Sequence, residues 1–188
     1  MTKIYSLSRR KAIYVAMLLT ISFTACDKFP PMGDGDAPRT IFQTIASEKK
    51  FSLLTAAVVK AKLVETLNDK KNSLTLFAPT DDAFRAAGFK EIKDINNVSE
   101  ETLKSILLYH VLGSEIKSTQ IPQAANTEVA TVAGKPVFVT RTAMSKVFVN
   151  GVTVINKDID CTNGVIHVVN RVLMASVGTI VQTCPGEQ

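Results

Sequence analysis

The hydrophobic periodicity of this 188-residue chain changes near Gly113, and this change constrains the fold more than any other feature. Before Gly113, apolar residues recur every three to four positions, as from Phe51 to Leu67, which is typical of amphipathic helices. After it, short runs rich in β-branched residues alternate with turn dipeptides, of which Asn150-Gly151 is a strong hairpin signal. Helices followed by strands predict an α+β fold, in which N-terminal helices pack on a largely antiparallel β-sheet.

The same patterns predict where individual elements lie. A helix of about 15 residues should begin near Phe51 and end at Asn68-Asp69. A second helix should follow a cap at Thr80 or Asp81, and a third should begin after Ser99 and end at Gly113. The predicted strands are residues 74–78, 128–132, 135–140, 146–149, 152–155 and 165–173.

Most of the excess positive charge lies in the first 25 residues. The chain has 22 Lys and Arg against 17 Asp and Glu, a formal net charge of +5. Four of the basic residues and none of the acidic ones fall within residues 1–25, so residues 26–188 carry 18 basic and 17 acidic side chains. A chain so close to neutrality lacks the positive surface that a phosphate backbone requires. We therefore expect no nucleic-acid partner.

The N-terminus has the pattern of an export signal. Arg9, Arg10 and Lys11 precede an apolar run of 14 residues, from Ala12 to Ala25. A helix of that length spans about 21 Å, which is shorter than a hydrocarbon core of about 30 Å. The pattern thus favours a cleaved signal peptide over residues 1–25, with a membrane-spanning helix as the alternative.

The end of the apolar run resembles the lipobox of bacterial lipoproteins. Cys26 follows small residues in Phe23-Thr24-Ala25-Cys26, and residues 26–38 are rich in Pro and Gly, as in a flexible linker. The resemblance implies that the Cys26 thiol carries a lipid, and two or three acyl chains anchor a protein stably in a membrane. The alternative is an ordinary signal peptide followed by an incidental cysteine. We expect a bacterial envelope protein, on the outer membrane or cell surface or facing the periplasm.

The remaining cysteines and the two histidines show no metal-ligand or catalytic spacing. Exported proteins meet oxidising conditions, so with Cys26 acylated, Cys161 is expected to pair with Cys184. His110 lies on the apolar face of a predicted helix, and His167 alternates with valines in a predicted strand. We expect both imidazoles to hydrogen bond backbone groups near the core, and we expect neither a metal nor another cofactor.

Three blocks of sequence resemble those of fasciclin-like domains. The blocks are Leu74–Phe84, Leu107–Leu112 and Asn163–Leu173. Their order and spacing also fit, and the resemblance covers residues 39–177, which leaves residues 178–188 as a C-terminal tail. It implies a wedge-like β-sheet packed with several helices. It also makes Tyr109, His110 and His167 family-motif residues, for which a structural role is expected.

The resemblance also implies a class of function. Members of this family are mostly secreted or membrane-tethered adhesion and matrix modules rather than enzymes, so we expect adhesion or contact with a surface or matrix protein. Asn156-Lys157-Asp158-Ile159 resembles a motif of animal members that is linked to integrin binding, and a structural turn is the alternative. Two other hypotheses are a glycan-binding or envelope-structural lipoprotein and a hydrolase that uses Cys161 or His110.

Overall fold

The computed structural model describes residues 38–174. The predicted signal peptide, Cys26 and Cys184 lie outside the described residues. The helices are α1 (Ile41–Ser47), α2 (Ser52–Lys60), α3 (Val64–Asn68), α4 (Asp81–Ala86), α5 (Ile92–Asn97) and α6 (Glu100–Tyr109), with a 3₁₀ turn at Lys49–Phe51. The strands are β1 (Leu74–Pro79), β2 (Val111–Leu112), β3 (Thr127–Ala130), β4 (Pro136–Arg141), β5 (Val147–Val149), β6 (Val152–Cys161) and β7 (Gly164–Val169). No helix in this part of the chain is long and apolar enough to cross a membrane.

Polar caps fix the starts of α4 and α6. The Thr80 hydroxyl accepts a hydrogen bond from the Ala83 amide, and the Ser99 hydroxyl accepts one from Thr102. Both caps were among those predicted, because a side-chain oxygen here satisfies an amide that the helix leaves unpaired. Asp81 has another role: its carboxylate accepts bonds from the Ser52 hydroxyl and the Leu53 amide at the start of α2.

The long helix predicted from Phe51 to Asp69 is wrong, because the chain forms two helices there. Lys62 has a φ of 56°. The Leu63 amide donates to the Val58 carbonyl, and the Lys62 amide donates to the Val59 carbonyl. These two bonds form a Schellman motif, which ends α2 even though a lysine occupies the position that glycine usually takes. Helix α5, over Ile92–Asn97, was not predicted, since only two of its residues are apolar.

The seven described strands form one sheet in the order β2-β1-β7-β6-β5-β4-β3. Only β1 and β7 pair in parallel, so the prediction of a largely antiparallel sheet in an α+β fold is confirmed. The two ends of the order meet, because Leu112 bridges Thr131 and the Val132 amide donates to the Val111 carbonyl at 2.8 Å. The sheet therefore curls almost into a closed barrel.

Strands β1 and β7 are buried along their whole length. One face packs on the helices through Leu76, Ile166 and Val168, and the other faces the inside of the curled sheet through Phe77 and Val169. Strands covered on both faces have continuous apolar sequences rather than an alternating pattern. This explains why the runs at 74–79 and 164–169 are apolar except for one buried polar residue each, Thr75 and His167.

Several predicted boundaries need correction. Strand β7 ends at Val169 rather than Leu173, and β6 continues to Cys161 rather than ending at Ile155. Helix α6 ends at Tyr109, and residues 111–112 form β2 where the helix was expected to continue toward Gly113. The Asn150-Gly151 turn is confirmed, and its φ angles of 49° and 76° are those of a type I′ hairpin.

Candidate functional site

The candidate adhesion motif lies at a bulge in β6. The pairing with β7 shifts register on both sides of Asn156, so that Lys157 and Asp158 together lie opposite His167. Asp158 has a φ of 59°, and its amide donates to His167 Nδ1 at 3.2 Å. A bulge of this kind redirects side chains that a regular strand would alternate. The motif is thus a bend within β6 and not a turn before β7.

The Asp158 carboxylate is bound within the domain. It accepts hydrogen bonds from the Ser118 amide, at 2.7 Å, and from the Ser118 hydroxyl. Partial burial acts to raise the pKa of Asp158, but the bonds from Ser118, together with nearby positive charge such as that of Lys157, outweigh this effect and the pKa is lowered. The carboxylate therefore fastens the 113–126 loop to β6 and presents no unpaired anionic group to solvent.

The other motif residues divide between core and surface. Ile159 packs against the core cluster on the helical side of the sheet. Asn156 and Lys157 are exposed, and Lys157 Nζ donates to the Ser145 carbonyl at 2.8 Å. A partner that binds this motif would consequently meet Asn156 and Lys157 rather than Asp158 and Ile159.

His167 connects three backbone segments. Its Nδ1 accepts from the Asp158 amide, so its Nε2 carries the proton and donates to the Ile116 carbonyl at 2.9 Å. Burial lowers the pKa of His167, and the Ile116 carbonyl opposes this only in part. The ring is therefore neutral at pH 7, with both nitrogens occupied.

His110 has the opposite tautomer. Its Nδ1 donates to the Ile106 carbonyl at 2.8 Å, and its Nε2 accepts from the Leu173 amide at 2.8 Å. Complete burial lowers the pKa of His110 to about 4. This imidazole joins the end of α6 to the chain that follows β7, and neither nitrogen is available to a substrate.

Tyr109, the residue before His110, also joins separate segments of the chain through hydrogen bonds. Its hydroxyl donates to the Pro136 carbonyl at 3.1 Å and accepts from Asn150 Nδ2 at 2.8 Å. Asn150 Oδ1 in turn accepts from the Phe138 amide at 2.8 Å. The Tyr109-His110 pair thus connects α6 to β4, to the β5–β6 hairpin and to the segment after β7.

Cys161 is half-buried at the end of β6. Its sulfur lies 3.4 Å from the Thr44 hydroxyl of α1, and burial raises the pKa of the thiol. A raised pKa disfavours the thiolate that a nucleophile requires. Because Cys184 lies outside the described residues, its pairing with Cys161 stays a prediction.

Asn163 has a structural role that its neighbours in the sequence do not indicate. Its Oδ1 accepts from the Ile41 amide at 2.8 Å, and its Nδ2 donates to the carbonyls of Leu67 and Asp69 at 2.9 and 3.2 Å. The buried amide thereby joins the start of α1, the end of α3 and the β6–β7 turn. Since Asn163-Gly164 has the pattern of an ordinary turn dipeptide, nothing local indicated these distant partners.

An apolar surface lies beside the bulge, on the side of β4–β6 that faces solvent. We call this surface the outer face and define it by Phe138 and Phe148, which alternate with inward-facing valines, and by Ile155, which follows the inward-packed Val154 in β6. Phe138 and Ile155 are 45% and 56% exposed. Exposed Lys146 and Lys157 lie next to it. The outer face combines apolar groups with positive charge.

Within residues 38–174, no group of three or more His, Cys, Asp and Glu side chains is placed to hold a metal ion. The one buried side-chain oxygen or nitrogen without a hydrogen-bond partner in this range is the Thr162 hydroxyl. The buried polar groups of the domain are therefore used to hold backbone segments together.

Comparison with known proteins agrees with the three sequence blocks. Residues 49–175 match the Fasciclin domain family. The chain is 38% identical over 140 residues to Protein sll1483 of Synechocystis sp., covering 74% of this chain and 75% of that protein. It is 36% identical over 144 residues to transforming growth factor-beta-induced protein ig-h3 of Sus scrofa, covering 77% of this chain but only 20% of the larger protein.

A solved structure has the same fold. A FAS1 domain pair from the insect cell adhesion molecule Fasciclin I superposes with a TM-score of 0.60 at 20% identity. The match covers 72% of this chain and 51% of the insect chain.

Proposed function

The chain belongs to the fasciclin domain family, and from this premise we propose that it is a lipid-anchored envelope protein whose domain makes protein–protein contacts and performs no catalysis. The observation that carries the proposal is the contrast between the inside and the outside of the domain. The histidines and Asp158 bind backbone groups inside it, whereas the outer face leaves large apolar side chains exposed. Exposed apolar groups of this kind are typical of protein interaction surfaces.

A hydrolase is the weaker hypothesis on geometric grounds. A Cys–His mechanism needs the sulfur and a basic nitrogen within hydrogen-bond reach. The Cys161 sulfur contacts Thr44, whereas both nitrogens of His110 bind backbone groups. The two candidate catalytic residues are thus engaged separately with other partners.

The proposed anchor is the acyl group on Cys26. Cys26 stands where the apolar run ends and the Pro- and Gly-rich linker begins, as in the lipobox that the sequence resembles. Acyl chains buried in a leaflet would hold the domain at a membrane surface without a spanning helix. We place the protein in the bacterial envelope, at the outer membrane or cell surface or facing the periplasm.

Replacement of Cys26 tests the anchor. In cells fed a radiolabelled fatty acid, we expect the full chain to be labelled and to sediment with membranes. The variant Cys26→Ala should lose all label and move to the soluble fraction, because no other thiol lies at the lipobox position. Cys161→Ala is the matched control and should label as the wild type does. Equal labelling of Cys26→Ala would contradict the proposal.

The proposed contact surface is the outer face. Its apolar side chains and the neighbouring Lys146 and Lys157 complement a protein surface that carries apolar and acidic groups. Glu128, which pairs with Phe138 across the strands, is an acidic residue at the margin of this face, where the two lysines leave a net positive charge. The recognised partner would therefore be an acidic envelope or surface protein.

Site-specific photo-crosslinking tests this surface in intact cells. A crosslinking amino acid at Ile155, which is 56% exposed, should give a discrete adduct, whereas one at Val59, which is 55% exposed on α2, should give none. Lys157→Glu should reduce the Ile155 adduct several-fold, because it reverses a charge at the margin, and Lys70→Glu should leave it unchanged. Equal adducts from both positions would contradict a specific face. Competition by soluble polysaccharide would instead favour the glycan-binding alternative.

A further inference from the structure

A cavity of about 150 Å³ lies inside the curled sheet, between the β1–β7 pair and the β3–β4 pair. Its walls are mainly apolar and include Phe77, Leu112, Ile121, Val129 and Val139. Protein interiors contain few voids larger than a water molecule, and an empty apolar void lowers stability. A cavity of this size is therefore a candidate binding site.

The fully buried polar side chains of the wall have their partners within the protein. The Thr75 hydroxyl donates to the Ser114 carbonyl at 2.7 Å and accepts from the Ile116 amide at 2.8 Å. Both nitrogens of His167 bind backbone groups. Water in a cavity needs two to four polar partners, and these groups offer none that is unpaired. The interior of the cavity thus favours an apolar occupant.

Size and wall chemistry together indicate the class of occupant. An engineered apolar cavity of about 150 Å³ in another protein stays dry and binds benzene. Here the rings of Phe77 and His167 are stacked, with centroids 5.7 Å apart and an interplanar angle of 29°, and both line the cavity. An aromatic wall interacts favourably with the ring of an aromatic ligand.

The opening of the cavity lies under the 113–126 loop. Gln120 and Pro122 line the cavity and are exposed to solvent. Arg141 Nη1 donates to the carbonyls of Thr119 and Ile121 at 3.0 and 3.2 Å, which fastens the loop over the opening. Asp158 fastens the same loop through Ser118. A ligand would enter when this short segment moves.

We propose that this cavity binds one small apolar molecule of the size of a single aromatic ring, and that the 113–126 loop controls its exchange. The site is separate from the outer face and does not depend on the proposed contact function. The Arg141 side chain acts on the rate of exchange and does not touch the ligand.

Benzene is the probe for this proposal. In the full chain carrying Cys26→Ala, we expect benzene to shift the methyl NMR signals of Val129 and Val139, to show nuclear Overhauser contacts with them and to raise the melting temperature. Val129→Phe should fill the cavity and abolish these shifts. Val152→Phe adds the same ring to another half-buried valine, which packs inside the curled sheet but does not line the cavity. This variant should leave the benzene-induced shifts intact. Arg141→Ala should retain binding and speed exchange.

Two results of the benzene experiment would overturn the proposal. Absence of contacts between benzene and the Val139 methyls in the folded wild type would overturn the proposal, and so would unchanged shifts in a folded Val129→Phe variant. Should Val129→Phe fail to fold, xenon supplies an independent measurement. Xenon should broaden or shift the same wild-type methyl signals, and methyl signals that do not respond to xenon would overturn the proposal.

Discussion

Gly164→Ala is expected to unfold the domain or to destabilise it by at least about 4 kcal/mol, a loss found only where a specific packing feature is broken. A Cβ atom at Gly164 would lie 1.8 Å from the carbonyl oxygen of Leu74 and 2.7 Å from the carbonyl carbon. Leu74 is the register partner of Gly164 in the parallel β1–β7 pair. Since the obstacle is backbone, no rotamer change relieves the clash, and β1 and β7 have to separate.

The backbone conformation of Gly164 adds to this effect. Its φ of 139° lies in a region that L-residues rarely adopt. The predicted loss is comparable to the whole stability of many domains, which is about 5–15 kcal/mol. Circular dichroism during urea unfolding measures it directly, and a strongly destabilised variant would already be unfolded without denaturant.

Two other glycines serve as graded controls. Gly134→Ala meets no atom within 4 Å but keeps a φ of 77°, so we expect it to cost about 1–2 kcal/mol through backbone strain alone. Gly113→Ala has open space around its Cβ and should be close to neutral. If Gly164→Ala cost no more than Gly134→Ala, the close approach of β1 to β7 would be incorrect.

The second large effect is a loss of stability as pH falls from about 6.5 toward 4, and it arises mainly at His110. Burial lowers the folded-state pKa of His110 to about 4, whereas an unfolded histidine titrates near 6.5. Between these values the unfolded chain binds a proton that the folded chain does not bind. Stability is therefore complete above pH 6.5 and falls by about 3 kcal/mol as pH approaches 4.

The hydrogen bonds give the physical reason for this direction. Protonation would place a second N–H on the His110 ring at the nitrogen that accepts from the Leu173 amide. The bond would be lost, and two donors would face each other in a buried site. His167 shifts in the same direction and adds to the slope. Asp158 has a lowered pKa, so its contribution is lost only at more acidic pH.

Urea unfolding at a series of pH values from 7.5 to 4.5 measures this dependence. His110→Phe should be less stable than the wild type at pH 7.5, because the Leu173 amide loses its acceptor, but its stability should fall less steeply with acid. His167→Phe provides the parallel comparison for the second ring. A wild-type unfolding free energy that stays constant between pH 6.5 and 5 would contradict the neutral, buried state of both histidines.

Local chemistry made much of the fold predictable. The Thr80 and Ser99 caps and the Asn150-Gly151 turn depend on residues within four positions of one another, and the structure has all three. Contacts between distant residues were not predictable from one sequence. The parallel pairing of β1 with β7 has no local signal, and the end of α2 depends on Lys62, a lysine in a conformation that favours glycine.

In the candidate site, too, local features could be predicted from the sequence whereas contacts between distant residues could not. The sequence indicated that Asp158 belongs to a motif but not that its carboxylate binds Ser118, which is 40 residues away. Asn163-Gly164 has the pattern of a turn, although the Asn163 side chain holds Ile41, 122 residues distant. Both side chains satisfy backbone groups whose need for a partner arises only when the chain is folded.

The parallel β1–β7 pair has a consequence for biogenesis. Gly164 lies 90 positions after Leu74, so the β1–β7 pair cannot form until the last strand of the sheet has been made. Closing so long a loop is slow, and chains dominated by distant contacts fold slowly. For a chain that we propose is exported, this delay favours transit. Under the proposed export, the β1–β7 pair would form only after both Leu74 and Gly164 had crossed the membrane.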